Sequence, residues 1–147
     1  MFEAINRHGG VVNQMIGDGL MAIFGAPLPL KEPSLGAVRA ALDMQEMITL
    51  LNAQRAALGK PAIRIGIGIA TGEMVAGYTG TQQRATYTCI GDTVNLASRL
   101  EAHTKVIGRG IVIDGATHAA LDKRIVVEKF EPVVFKGKTV PTDVYAL

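Results

Sequence analysis

The sequence contains no tryptophan and only one cysteine among its 147 residues. Cys89 therefore has no partner for an internal disulfide, and it lacks the companion ligands that a zinc site requires. Because a chain without disulfides suits a reducing compartment, we expect a cytoplasmic location.

Long apolar runs are also missing. The longest, residues 20–30, is broken by Gly25, Pro27 and Pro29, and it is much shorter than the roughly 20 residues that a membrane-spanning helix needs. Residues 1–10 are polar and contain no apolar region of the signal-peptide kind. We therefore expect a soluble chain with no membrane segment.

Neither sign of charge is in large excess. The chain has 15 Lys and Arg against 13 Asp and Glu, a formal net charge of +2. No block of Lys or Arg is dense enough to mark a nucleic-acid surface. We expect no nucleic-acid partner, and any basic function to be local.

Apolar residues and glycine are abundant. The composition is 48% hydrophobic with 17 glycines, which predicts a single domain over residues 1–147 with a core of aliphatic side chains and many tight backbone positions.

The chain alternates extended and helical patterns. Strands are predicted at residues 11–16, 20–24, 64–70, 74–78, 87–90, 111–114, 125–131, 133–136 and 144–147. Helices are predicted at residues 34–58, 93–104 and 116–121, the second with Asp92 or Thr93 as its N-cap. The apolar stripe of the first helix consists of Ala37, Ala41, Met44, Ile48, Leu51 and Leu58. This order predicts an α/β sandwich, with one mixed sheet and helices on a face.

Two common phosphate-binding motifs are excluded. Gly66 and Gly68 are followed by Thr71 where a dinucleotide fingerprint has its third glycine, and no Gly-Lys-Ser/Thr sequence forms a P-loop. The paired glycines instead allow backbone or ligand to come close to the strand.

Asp18 is a candidate metal ligand. It lies between Gly17 and Gly19 at the tip of the predicted hairpin, where a carboxylate can bind a hard cation while backbone approaches phosphate oxygens. The alternative is an aspartate that serves only turn formation.

Asn95 and Arg99 are four residues apart on one face of the second helix. An amide and a planar guanidinium on one face can hold a sugar oxygen and a developing phosphoryl charge. A solvated polar face is the alternative, and the following Glu101 and His103 are expected at the surface.

Three long segments share the pattern of one family. They are residues 9–27 (GGVVNQMIGDGLMAIFGAP), 65–72 (IGIGIATG) and 87–101 (YTCIGDTVNLASRLE). In this order they resemble the second metal-binding hairpin, the central strand and the catalytic helix of class III adenylate and guanylate cyclases. The resemblance implies a ferredoxin-like, palm-type fold, in which a mixed sheet is packed with helices.

The resemblance also implies roles for single residues. Asp18 matches the second of the family's two metal-binding aspartates. Asn95 matches the asparagine that orients the ribose, and Arg99 the arginine that stabilises the transition state. Lys136 resembles a phosphate-contacting lysine of the last hairpin, with an exposed turn lysine as the alternative.

The family's base-selecting pair falls at Gln14 and Thr88. Adenylate cyclases typically have Lys at the first position and Asp or Thr at the second, whereas guanylate cyclases typically have Glu and Cys. Thr88 fits a bacterial adenylate cyclase subtype. Gln14 departs from both patterns, and its amide can donate or accept, so it does not by itself distinguish adenine from guanine.

The family's first metal aspartate, in an Asp-x-x-x-Phe segment, is not among the 147 residues. Residues 3–8 resemble only the tail of the helix before the metal hairpin. We therefore expect a cyclase fold without its first strand and helix, and little or no turnover by this chain alone. A fragment, a misassigned start and a truncated inactive relative are the alternatives.

The implied reaction converts ATP, in preference to GTP, to the 3′,5′-cyclic monophosphate and pyrophosphate, with two Mg²⁺ or Mn²⁺ ions. The resemblance implies a homodimer with shared sites, in which Asp18 of one subunit faces Asn95 and Arg99 of the other. A non-catalytic dimerisation or regulatory module is the main rival. A diguanylate cyclase is a weaker one, because the Gly-Gly-Asp/Glu-Glu-Phe hairpin of that family is missing.

Overall fold

The computed structural model describes residues 1–81 and 84–147, without the side chains of residues 16, 79, 81 and 84–88. The elements follow the order α1 (Phe2–Arg7), β1 (Gly10–Ile16), β2 (Gly19–Phe24), α2 (Pro33–Ala57), β3 (Ile67–Ile69), β4 (Val75–Thr81), β5 (Arg84–Ile90), α3 (Asp92–Ile107), β6 (Ile111–Asp114), α4 (Gly115–Leu121), β7 (Glu128–Val133) and β8 (Thr142–Ala146). Both the hairpin around Asp18 and the three predicted helices are confirmed in type.

The described strands form three sheets. The largest is a mixed sheet of order β3-β6-β8-β7, in which β3 and β6 are parallel and β8 is antiparallel to both of its neighbours. The pairs β1–β2 and β4–β5 are antiparallel hairpins. The expected mixed sheet is confirmed, but the expectation of one sheet is wrong, because neither hairpin joins the ladder of β3 within the described residues.

The residues of β6 divide the core in two. Ile111 and Ile113 join one buried cluster, and Val112 between them joins the other. Because successive strand residues point to opposite faces, the mixed sheet is covered on both sides. Helices α1, α2 and α4 pack on one face and α3 on the other. The expectation of helices on a single face is therefore wrong, and the continuous apolar run of β6 is typical of a doubly covered strand.

Helix α2 buries a different stripe from the predicted one. Ala41 and Met44 are buried as expected, but Leu51 and Leu58 are 40% and 71% exposed. The residues that the helix buries are Ser34, Leu35, Val38, Ala40, Ala41 and Met44. The prediction fails because the buried core cluster includes residues of α2 only as far as Met44.

Two glycines let α3 pack directly on β3. A Cβ atom on Gly68 would overlap the carbonyl oxygen of Ala97 and the amide nitrogen of Glu101. A Cβ atom on Gly66 would overlap the hydroxyl of Thr104. The sequence left open whether backbone or a ligand comes close to these glycines. The structure shows that helix α3 does, through its backbone at Gly68 and through the Thr104 side chain at Gly66.

The start of α3 differs from the prediction. Its N-cap is Gly91, with φ 141° and no side-chain cap, and Asp92 is already the first helical residue. The hydroxyl of Thr93 donates instead to the carbonyl oxygen of Glu73 at 2.7 Å. Neither predicted cap is used, because glycine allows the chain to turn sharply from β5 into the helix.

The predicted strand at residues 133–136 is a turn. Strand β7 ends at Val133, and the amide of Lys138 donates to the carbonyl oxygen of Phe135 at 3.0 Å. This hydrogen bond closes residues 135–138 into a turn, so this segment does not pair with a neighbouring strand.

Candidate active site

Asp18 occupies a tight hairpin tip. Ile16 pairs with Gly19, so Gly17 and Asp18 alone form the turn, and Gly17 has φ 58°, a conformation that glycine adopts without strain. Asp18 is exposed and makes no hydrogen bond or ion pair to a described residue. Its carboxylate is therefore free to act as a ligand for a hard cation.

The described residues contain no group of three or more His, Cys, Asp or Glu side chains that could hold a metal ion. Asp18 fits one carboxylate ligand of a magnesium-type site, in which substrate phosphates and water supply the others. A site for two ions needs a further carboxylate in addition to Asp18.

Arg99 meets the turn that carries Lys136. A Cβ atom on Gly137, which has φ 85°, would lie 3.7 Å from Nη2 of Arg99. The Phe135 ring packs edge-to-face on His103 with 5.7 Å between ring centroids, which fixes the turn against α3. The structure thus places the Arg99 guanidinium beside the turn that carries Lys136.

Neither of these cations has an anionic partner among the described residues. Arg99 is half-buried and Lys136 is exposed, and neither forms an ion pair or side-chain hydrogen bond there. An unpaired, partly desolvated guanidinium next to a lysine-bearing turn is suited to an anionic ligand such as a phosphate.

Asn95 lies one turn before Arg99 on α3 and is exposed. Buried Leu96 and Leu100 set the rotation of the helix about its axis, so Asn95 and Arg99 share a side of it. Neither makes a described hydrogen bond to Asp18. Within one chain, the described contacts therefore join Arg99 to the Lys136 turn but do not join Asn95 or Arg99 to the hairpin of Asp18.

Sequence reasoning missed two members of this arrangement. His103 was expected at the surface, but it is half-buried and supports the Lys136 turn through Phe135. Gly137 provides the close approach to Arg99. The four-residue spacing of Arg99 and His103 was a usable signal, since it places both on one helix face.

The two predicted base-selecting residues lie on neighbouring strands. Gln14 is exposed on β1, opposite Met21 of β2. The backbone of Thr88 pairs with Gly77 in the β4–β5 hairpin, whereas its side chain lies outside the described part of the structure. Strand β1 contacts β5, so the two strands that carry the pair are adjacent.

Asn13 is a polar residue that the sequence analysis did not select. It is the extra residue of a β-bulge in β1, between Val12, which pairs with Ala22, and Gln14. Both polar atoms of its side chain, Nδ2 and Oδ1, are buried and have no hydrogen-bond partner among the residues that the structure describes. Such groups are rare in folded proteins because each is costly.

Cys89, next to Thr88, is buried with 4% of its surface exposed. Its Sγ lies 2.8 Å from Sδ of Met74. Desolvation by burial raises the pKa of the Cys89 thiol above its usual value. Since the thiol ionises at lower pH in the unfolded chain, its contribution to stability is lost as the pH rises through the folded-state pKa.

We expect native Cys89 to react with a thiol reagent such as DTNB at pH 8 about tenfold or more slowly than the urea-unfolded chain, because the thiolate is disfavoured and the sulfur is covered. Absorbance at 412 nm measures both rates. Equal rates in the two states would show that the end of β5 is open in solution.

None of the helices in the described ranges is both long and apolar enough to cross a membrane.

Comparison with known proteins identifies relatives along almost the whole chain. Residues 3–147 match the family model described as "Adenylate and Guanylate cyclase catalytic domain". Adenylate cyclase 1 of Rhizobium meliloti is 34% identical over 143 residues, which are 97% of this chain and 22% of that protein. The chain thus spans about a fifth of the length of this relative.

Solved structures agree with the sequence match. The guanylyl cyclase Cya2 superimposes with a TM-score of 0.87 at 34% identity, over 98% of this chain and 72% of that one. The adenylyl cyclase CyaB from P. aeruginosa gives the same TM-score of 0.87 at 29% identity, over 98% and 74%. The chain belongs to the adenylate and guanylate cyclase catalytic domain family, the class III nucleotidyl cyclases.

Proposed function

We propose that this chain forms the catalytic region of a nucleotidyl cyclase that converts ATP, and GTP less readily, to the 3′,5′-cyclic monophosphate and pyrophosphate. The observation that carries the proposal is the position of Arg99, half-buried, without an anionic partner in the described residues, and next to the turn of Lys136 and Gly137. The proposed role is cyclic-nucleotide signalling in the cytoplasm, where Cys89 would stay reduced.

In the proposed reaction the ribose 3′-oxygen forms a bond to the α-phosphorus, the bond to the bridging oxygen of pyrophosphate breaks, and the 3′-hydroxyl proton leaves to solvent. The amide of Asn95 holds the ribose in line for attack. The guanidinium fork of Arg99 binds the phosphoryl oxygens as their charge shifts, and Lys136 holds the outer phosphates.

Asp18 would provide one oxygen ligand to Mg²⁺ or Mn²⁺. When bound, two such ions activate the attacking oxygen and neutralise the triphosphate. The second carboxylate that two ions need is the family's first aspartate, which is not among these residues. Asp18 therefore contributes half of the carboxylate ligands of the complete site.

We further propose a homodimer in which Asp18 of one subunit faces Asn95 and Arg99 of its partner. The lack of any described hydrogen bond between these groups within one chain supports this arrangement. Exposed apolar side chains on the β4–β5 hairpin also support it, because Val75 and Ile90 form a cross-strand pair that is 69% and 61% exposed.

An extended chain allows the proposal to be tested. We define it as this sequence preceded by a family strand and helix that carry the first aspartate. With Mn²⁺ and ATP, the extended chain should form cyclic AMP more than about 100-fold faster than the 147-residue chain, because loss of a direct metal ligand costs at least as much as loss of an outer-shell partner. Chromatography of the nucleotide products measures both rates.

Replacement of Asp18 by Asn in the extended chain is the matched control, and it should abolish the gain. Rapid cyclic AMP formation by the 147-residue chain would contradict our assignment of the metal ligands.

With equal ATP and GTP, the extended chain should make more cyclic AMP than cyclic GMP, as Thr88 suggests. The reverse ratio would overturn the preference for ATP.

A non-catalytic cyclase-homology module for dimerisation or regulation is the second candidate. The single carboxylate at the hairpin tip favours it, because the described residues contain no group of three or more His, Cys, Asp or Glu side chains that could hold a metal ion. An extended chain that dimerises but forms no cyclic nucleotide would support the module and contradict the enzyme.

A further inference from the structure

We propose that Thr71 is a positioning residue for the cyclisation, because its hydroxyl holds the segment on which the start of α3 rests and so sets the place of Asn95. This role rests on the proposed function and adds a residue to it. Thr71 is half-buried and lies two residues after the end of β3. Its hydroxyl bonds to Ser34 and Thr117, so it acts on Asn95 through other residues.

The hydroxyl of Thr71 belongs to a polar network of four side chains. Oγ1 of Thr71 lies 2.9 Å from Oγ of Ser34 and 2.7 Å from Oγ1 of Thr117. The hydroxyl of Thr117 donates to Oδ1 of Asp114 at 2.6 Å, and the amide of Thr117 donates to the same oxygen at 3.0 Å. Ser34, Thr117 and Asp114 are buried. The network therefore joins the first turn of α2, the end of β3 and the start of α4.

The direction of each hydrogen bond in this network follows from its carboxylate end. A hydroxyl has one proton, and that of Thr117 goes to Oδ1 of Asp114 or, at 3.4 Å, to the carbonyl oxygen of Ile69. In either case the Thr117 oxygen can only accept from Thr71, so Thr71 has to accept from Ser34. Both the proton and an acceptor site of the Thr71 hydroxyl are thus used. A buried network that is satisfied in this way makes its surroundings rigid.

The start of α3 rests on the two residues that follow Thr71. The helix has no side-chain cap at Gly91. Its first turn is held instead by Thr93, whose hydroxyl donates to the carbonyl oxygen of Glu73 at 2.7 Å. Gly72 lies against the same hydroxyl, since a Cβ atom on Gly72 would be 2.7 Å from Oγ1 of Thr93. A fixed Thr71 therefore fixes the acceptor to which the first turn is attached.

Asn95 follows the position of this first turn. Its amide donates to the carbonyl oxygen of Gly91 at 3.2 Å in the first hydrogen bond of the helix. A displacement of about 1 Å in a group that orients the substrate can cost on the order of 10²-fold in rate. Arg99 lies one turn later, where α3 packs directly on Gly68 of β3. The loss of the Thr71 hydroxyl should therefore affect Asn95 more than Arg99.

Two substitutions at Thr71 separate its hydroxyl from its shape. Thr71→Val keeps the branched shape and loses the hydroxyl, whereas Thr71→Ser keeps the hydroxyl. Thr49→Val is the matched control, because the exposed Thr49 hydroxyl bonds only within α2, to the carbonyl oxygen of Gln45 at 3.0 Å. Thr71→Ser and Thr49→Val should behave as the native chain in both of the following measurements.

The first measurement needs no turnover and uses amide hydrogen exchange in the 147-residue chain, followed by NMR. In Thr71→Val the amide of Asn95 should exchange about tenfold or more faster than in the native chain. The amide of Arg109, which donates to the carbonyl oxygen of Thr104 at the other end of α3, should be unchanged. Equal acceleration of the two amides would show only a loss of global stability and would overturn the positioning role.

The second measurement is cyclic AMP formation by the extended chain with Mn²⁺. Thr71→Val should lower kcat about 10- to 100-fold and change KM by less than about threefold, because orientation matters most in the transition state. Since Thr71 acts through Thr93, the double variant with Thr93→Val should lose about as much as the stronger single variant. Multiplied losses would overturn this path.

The outcomes separate this role from the proposed function. An extended chain that forms no cyclic nucleotide overturns the proposed function, whereas acceleration at Asn95 alone still supports Thr71 as the residue that anchors α3. An active extended chain in which Thr71→Val keeps the native kcat overturns the role of Thr71 alone. If valine prevents folding, Ser34→Ala, which removes the donor to Thr71, is judged by the same two amides, and unchanged exchange at Asn95 overturns the role.

Discussion

Replacement of Arg99 by alanine is expected to lower kcat of the extended chain by about 10²- to 10³-fold. Arg99 has no anionic partner in the described residues and stands beside Gly137 of the Lys136 turn, so its guanidinium is available for charge that develops on the transferring phosphoryl group. Because this charge is largest in the transition state, the loss should fall on kcat more than on KM. Steady-state cyclic AMP formation with Mn²⁺ measures both constants.

Two variants on the same helix control for general effects. Lys105→Ala removes an exposed cation from the last turn of α3 and should leave kcat unchanged. Arg99→Lys keeps the charge but loses the planar fork, so its rate should lie between those of the native residue and alanine. An Arg99→Ala variant that raises KM and keeps kcat would instead assign Arg99 to binding of the ground state.

The local parts of this site could be predicted from sequence. The tip Gly17-Asp18-Gly19 and the helix of Asn95 and Arg99 are short-range patterns, in which turn chemistry and helical spacing fix the geometry within a few residues. The structure has both where the sequence indicated them. The roles of these residues remain proposals, since they come from the family resemblance.

The long-range parts could not be predicted. Arg99 and Gly137 meet only because α3 and the turn after β7 pack on the same face of the mixed sheet. The bulge at Asn13 depends on how β1 pairs with β2. A one-residue shift in strand pairing cannot be seen in the local pattern of apolar and polar residues. The buried stripe of α2 was misplaced for a similar reason, because the extent of the core beneath a helix is a property of the assembled fold.

Replacement of Gly68 by alanine is expected to destabilise the chain by about 3 kcal/mol or more. The new methyl group would overlap the backbone of α3 at Ala97 and Glu101. Backbone atoms of a helix cannot rotate away as the end of a flexible side chain can, so the whole helix has to move off β3 or the strand has to bend. Urea unfolding followed by circular dichroism gives the change in the free energy of unfolding.

Gly77→Ala is the matched control, because a Cβ atom on Gly77 has nothing within 4 Å and its φ is not in the left-handed region. It should change the free energy of unfolding by no more than about 0.5 kcal/mol. If Gly68→Ala were equally mild, α3 would not rest on β3 as closely as the structure has it.

The position of α3 also matters for chemistry, since a displacement of Arg99 by about 1 Å can cost on the order of 10²-fold in rate. In the extended chain, Gly68→Ala should therefore lower kcat under conditions in which it is still folded.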